Sequence, residues 1–133
     1  MKNTVVRCPY CGSAAIKKPA SFVYGENAKP GAYLYVCTGY PVCDSYVSAH
    51  AKSGLPMGSL ADKKLRKKRI AAHRALTRFQ EIGHMTKGQA YQWLQARLDM
   101  SDEQMHIGKM NEYYCGRIIA ECNRATRNMR AAS

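Results

Sequence analysis

Acidic residues are scarce in this chain: nine Asp and Glu stand against 21 Lys and Arg in 133 residues, a formal net charge of +12. The nine are scattered, so the carboxylate cluster of a two-metal nuclease is not expected. There is no GxGxxG, no phosphate-binding loop and no HExxH, and no nucleophile has an evident base. The chain therefore reads as a binding protein rather than an enzyme. No run approaches the roughly eighteen consecutive apolar residues of a membrane span, and the polar start, MKNTVVRCPYC, reaches its first cysteine too soon for a signal peptide. A cytoplasmic location is the expectation. Thiols stay reduced there, which favours metal ligation or redox chemistry over structural disulfides.

Cysteine, by contrast, is concentrated. Four of six lie in the first 43 residues, as CPYC (Cys8, Cys11) and CTGYPVC (Cys37, Cys43), with twenty-five residues between the pairs. Zinc prefers four soft ligands in a tetrahedron, and two cysteine-bearing turns joined by a hairpin supply them. Pro9 and Gly12 suit the first turn, Gly39 and Pro41 the second. A redox CxxC would need a βαβ context that is missing, and four buried thiols fit poorly in so polar a segment. The expectation is one structural Zn2+ held by Cys8, Cys11, Cys37 and Cys43, with a filled shell that leaves no open catalytic position. His50 is a possible substitute for one cysteine. The flanking stretches Thr4 to Arg7, Ala15 to Lys17, Ser21 to Tyr24, Tyr33 to Val36 and Ser45 to Val47 read as short strands, with 25–32 as a turn-rich loop between them.

The pattern CPYCG followed by CTGYPVC resembles the four-cysteine zinc ribbons at the C-termini of bacterial type I topoisomerases. That resemblance covers residues 7–47, with a longer loop between the cysteine pairs, and implies binding of single-stranded DNA. Across the whole chain, LPMGSLAD (55–62), AHRA (72–75), AYQWL (90–94) and HIG (106–108) resemble a zinc-finger-containing family of bacteria, phages and prophages. The implication is a small accessory protein of phage or prophage origin.

Past His50 the texture changes. The expected organisation is α+β: a β zinc ribbon over 1–50, a linker over 51–58, and a basic helical module of three to four helices over 59–133. Ser59 to Asp62 has the form of a helix-start box, leading a helix to about Glu81 with Ala61, Leu65, Ala72, Leu76 and Phe79 on one face. Thr86 to Gln89 repeat that signal for a helix carrying Ala90, Trp93, Leu94 and Leu98, and Ser101 to Gln104 for a short turn of helix ended by Gly108, while a last helix from about Asn111 carries a stripe of Tyr114, Ile118, Cys122, Ala125 and Met129. Cys115 and Cys122, two turns apart, read as small core residues.

Charge gathers in the second half, which carries +9 of the +12. Six of the seven residues 63–69 are basic, and Asp62 is the only carboxylate between Ser45 and Gln80. Such a run is often only a solvated face. The competing expectation is a nucleic-acid surface on the helix 63–78, with Lys63, Lys64, Arg66, Lys67, Lys68, Arg69, Arg74 and Arg78 on phosphates, Lys63, Lys67, Arg74 and Arg78 forming a cationic stripe opposite the apolar one, and Tyr40 on a base. Tyr33, Tyr35, Tyr40 and Tyr46 include possible stacking residues, about half of them needed for the core. An adaptor or inhibitor docking on another protein, with purely structural zinc, is the alternative.

Overall fold

The computed structural model describes residues 6–132 and divides the chain into two compact units, 1–64 and 65–133. The architecture is the expected α+β arrangement: a small antiparallel sheet, then helices.

In the first unit, strands β1 (Ala15–Pro19), β2 (Tyr33–Cys37) and β3 (Tyr46–Ser48) pair in the order β1-β2-β3. Ala15 faces Cys37 and Pro19 faces Tyr33, while Val36 faces Tyr46. Alternation along β2 gives the sheet two apolar faces. Leu34 and Val36 pack with Ala20 and Tyr46 on one, and Cys37 packs with Cys8 and Leu60 on the other. Of the expected first strand, Thr4 and Val5 lie outside the described residues, and Arg7 makes an isolated bridge to Ala14.

Ser21 to Tyr24 is not a strand but a turn of helix, α1 (Ser21–Tyr24). Pro19 already pairs with the first residue of β2, and Ala20 N–H bonds the Ala32 carbonyl, which ends the ladder. The chain then closes on itself through Val23 and Tyr24 N–H bonds to the Ala20 carbonyl, and Val23 drops onto Leu34 and Val36. Residues 49–61 return along β3: Met57 N–H bonds the Ser48 carbonyl, His50 N–H bonds Leu55, and Ala61 and Tyr46 exchange both hydrogen bonds at 3.1 Å. The stretch 51–58 thus carries backbone bonds to the sheet unit and is not a free connector.

That return also moves the next helix. It begins at Lys63, not at Ser59, because Ala61 bridges to Tyr46 and Leu60 is fully buried against Cys8 and Cys37. Helix α2 (Lys63–Ile82) enters the second unit two residues later and continues there with α3 (Lys87–Leu98) and α4 (Glu112–Ala132). Leu65, Ala72, Ala75, Leu76 and Phe79 form its buried stripe, and the Phe79 ring lies 4.1 Å from that of Trp93 in α3. Thr86 and Gln89 make the full reciprocal capping box that starts α3. Ser101 and Gln104 make the same two bonds on the expected short turn, after which Met105 and Ile107 are buried. Asn111 caps α4 through Tyr114 N–H. The buried stripe of α4 is Cys115, Ile118, Cys122 and Thr126, rotated from the expected one so that Tyr114, Ala125 and Met129 lie at its margin. No helix among the described residues is long and apolar enough to cross a membrane.

Candidate metal centre and the cationic helix

Each cysteine pair sits in a turn closed by its own backbone. In the first, Gly12 N–H bonds the Cys8 carbonyl and Cys8 N–H bonds Ser13, with Gly12 at φ +76°, a conformation that a side chain would strain. In the second, Tyr40 N–H bonds Cys37 and Cys43 N–H bonds Gly39, across a cis Tyr40–Pro41 peptide. Gly39 also aims its N–H at the Cys37 sulfur, 3.4 Å away, and a Cβ there would meet the Cys43 side chain at 3.4 Å.

The two turns bring four sulfurs together. All four lie within 4.8 Å of one another, with Cys8 and Cys43 at 3.6 Å and Cys11 and Cys37 at 3.4 Å. Tetrahedral zinc with Zn–S bonds of about 2.3 Å sets its sulfurs about 3.8 Å apart, so the cluster fits one ion. Ser45 completes the surroundings. Its hydroxyl, fully buried, stands 3.0 Å from the Cys8 sulfur and 3.4 Å from that of Cys43. Sequence reasoning passed over Ser45; the available signal was a small hydroxyl residue two positions past the last cysteine, at the start of a strand.

The thiols differ in how readily they ionise. Burial works to raise the Cys8 thiol, but hydrogen bonds from Ser45 and the turn backbone outweigh it and bring it below its ordinary value. The Ser13 side chain and backbone bring Cys11 down to about 6, whereas burial pushes Cys37 up to about 12. A divalent cation is what allows the four to be thiolates at once, and its binding releases protons. His50 is not part of the cluster. Ala49 N–H bonds the Tyr33 carbonyl at the other end of β2, about 13 Å along the strand from Cys37.

The eight cations proposed on α2 have different fates. Lys63, Lys64, Lys67, Arg74 and Arg78 are exposed, and Arg66 is half-buried. Lys68 leans toward Gly116 of α4. Arg69, only 8% exposed, donates from Nε to the Met110 carbonyl at 3.1 Å and is a packing residue of the helical unit. Lys67, Arg74 and Arg78 border an open groove of about 440 Å3 with Ile70, Ala71 and Ala75 of α2 and Ile119 and Asn123 of α4. Arg78 also hydrogen-bonds the Asn123 side chain. Tyr40 is half-buried, its ring against Phe22 and Tyr46. Tyr46 is buried, Tyr35 half-buried, and Tyr33 is the exposed member of the four tyrosines. Cys115 and Cys122 are fully buried in α4. Burial pushes Cys122 up to about 12, and raises Cys115 against the pull of Arg69 and Lys68.

No curated protein and no solved structure matches the chain significantly. A family profile does, over residues 4–125, a span that includes the sheet unit, the four cysteines and most of the helical unit. Four convergent sulfurs in paired turns and that match agree, and the chain belongs to the zinc-finger-containing domain family DUF3268, with a site for one structural zinc.

Proposed function

We propose that the protein binds nucleic acid through the groove of α2, with zinc serving only to fold the sheet unit. One observation carries the reading: Lys67, Arg74 and Arg78 border a single open groove whose lining contains no carboxylate. At 1.5 Å rise per residue, the three span about 16 Å, over which one strand of a duplex presents about five phosphates. Ion pairing there releases counterions and needs no base sequence. The reading is of a non-enzymatic protein working in the cytoplasm, with an accessory role and phage or prophage origin as the whole-chain resemblance implies.

A second reading has its own support. Ile70 is 51% exposed on the groove wall, opposite Ile119, and an apolar strip between cations also suits an acidic helix of another protein. Salt dependence separates the two. Replacing Lys67, Arg74 and Arg78 by Gln is expected to weaken binding to single- and double-stranded DNA alike. It should also flatten the slope of log affinity against log salt by about 0.7 to 0.9 for each phosphate no longer neutralised. Unchanged affinity and slope in the folded triple variant would overturn the nucleic-acid reading of α2 and leave the acidic partner.

A further inference from the structure

The four clustered cysteines meet solvent unequally. Cys11 is exposed and Cys43 half-buried, while Cys8 and Cys37 are each 2% exposed. Their sulfurs also fall into two close pairs. Cys8 and Cys43 stand 3.6 Å apart, with the buried Ser45 hydroxyl against both at 3.0 and 3.4 Å. Cys11 has the Cys37 sulfur at 3.4 Å, so an accessible cysteine adjoins a buried one within a short movement of the roughly 2.05 Å of a disulfide. A cation adjoins this pair. Arg7 donates from Nη1 to the Gly12 carbonyl at 3.2 Å, which holds its guanidinium on the turn that presents Cys11.

An accessible thiolate with a neighbouring cation and a second thiol alongside has the features of a cysteine that reacts with peroxides. Metal-bound sulfur is a thiolate, the nucleophilic form. We infer that the metal centre is also a thiol switch, in which hydrogen peroxide or an organic hydroperoxide oxidises Cys11 and Cys37 to a disulfide and zinc is lost. In the first step the Cys11 sulfur attacks a peroxide oxygen: the S–O bond forms, the O–O bond breaks, and hydroxide leaves and takes a proton from solvent. In the second, the Cys37 thiolate attacks the Cys11 sulfur: the S–S bond forms, the S–O bond breaks, and a second hydroxide leaves and is protonated in turn. Two thiolates, one hydrogen peroxide and two protons thus give one disulfide and two waters, and two electrons pass from sulfur to oxygen. Cys8 and Cys43 alone do not fill a four-coordinate shell, so oxidation expels the ion with its charge unchanged. Leu60 packs on Cys8 and Cys37, and the Tyr10 hydroxyl accepts from Asp62 N–H at 3.1 Å, so the change reaches the segment that leads into α2. A dithiol reductant restores both thiols, which makes the switch reversible. The inference needs only the four-cysteine site and does not depend on the nucleic-acid reading.

The test treats the full-length, zinc-loaded protein with about one equivalent of hydrogen peroxide, beside a chromophoric chelator that leaves the untreated protein loaded. The expected result is release of about one zinc per chain with loss of about two free thiols. Fragment-ion mass spectrometry should place the new bond between Cys11 and Cys37, and dimedone added with the peroxide should trap the sulfenic acid on Cys11. The dispersed amide signals of Val36 and Tyr46 should disappear, and return with a dithiol reductant and zinc. Cys115 and Cys122, fully buried in α4, are the internal standard and should stay free. Zinc retained at peroxide levels that begin to consume Cys115 and Cys122 would overturn the switch. So would a disulfide within either turn or between Cys8 and Cys43, or first trapping at Cys37 or Cys43.

Discussion

Replacement of Cys37 by Ser tests what holds the sheet unit together. Cys37 is 2% exposed, ends β2, and its sulfur lies 3.4 Å from that of Cys11 and from Gly39 N–H. A serine keeps the size but offers a hard, protonated oxygen in place of a thiolate, leaving three sulfur ligands. Structural zinc contributes an apparent ~10–16 kcal/mol to the folding of small domains at neutral pH, as much as the whole stability of many proteins. The apolar support here is thin. Leu34, Val36 and Leu60 are its larger buried aliphatic side chains, each contributing about 1.5–3 kcal/mol, so the metal outweighs any one of them several-fold.

Loss of most of the zinc affinity should therefore unfold residues 6–61. The helical unit should not follow. Its helices of 20, 12 and 21 residues carry their own buried stripes, whereas the sheet unit's own helical segments are the four residues of α1 and a three-residue 3-10 turn at Gly25–Asn27. The assay is metal analysis of protein purified without chelator, together with far-ultraviolet circular dichroism and a two-dimensional amide NMR spectrum. Wild type should contain one zinc per chain. Cys37→Ser should contain little, keep most of its helical ellipticity, and lose the dispersed signals of Tyr35, Val36 and Tyr46. A zinc-free Cys37→Ser protein that retains those dispersed signals would refute the reasoning, because the sheet would then be stable on side-chain packing alone.

Ser45→Ala removes the hydroxyl beside two sulfurs, and about a tenfold fall in zinc affinity is expected, measured by competition with a chromophoric chelator. Arg69→Met should destabilise the helical unit by about 1.5–3 kcal/mol in urea titration, through loss of the hydrogen bond to the Met110 carbonyl, without altering DNA affinity of the folded protein; a stable variant with weakened DNA binding would place Arg69 on the surface instead. Above pH 9 the unfolded Cys122 thiol ionises, whereas burial holds the folded one protonated to about 12. The unfolded state then binds fewer protons, so this group's share of stability, complete below pH 9, falls as pH rises from 9 to 12 by about 1.4 kcal/mol per unit. Urea midpoints should show that decline in wild type and a shallower one in Cys122→Ala, and parallel pH profiles for the two would refute the assignment.

What was legible in the sequence was what local chemistry determines. Cys8 and Cys11 share one tight turn and Cys37 and Cys43 another, so spacing alone told which thiols converge, and the sulfur distances agree. Thr86 and Gln89 satisfy each other across one helical turn, and the helix begins where they do. Where a residue answers to something distant, local pattern misleads. Ser59 to Asp62 has the spacing of a helix start, but Leu60 is claimed by Cys8 and Cys37, more than twenty residues before it in the chain, and Ala61 by Tyr46. Ser101 and Gln104, by contrast, close their capping bonds on the short turn that their spacing predicts, and Met105 and Ile107 beyond it are buried.

The basic run 63–69 shows the same limit for function. Seven residues of helix turn through nearly two full turns, so a continuous run of cations cannot all face one ligand. Leu65 and Arg69 are four apart and both buried, which places Arg69 on the apolar stripe, its charge directed to a backbone carbonyl. The charged face that remains continues through Lys67, Arg74 and Arg78, beyond the end of the run itself. A solvated charge run and a phosphate-binding face thus differ in which cations share a side of the helix. Helical spacing in the sequence already puts Lys67, Arg74 and Arg78 on one stripe with Lys63, whereas the turn of Arg69 toward the Met110 carbonyl depends on a distant partner that spacing does not contain.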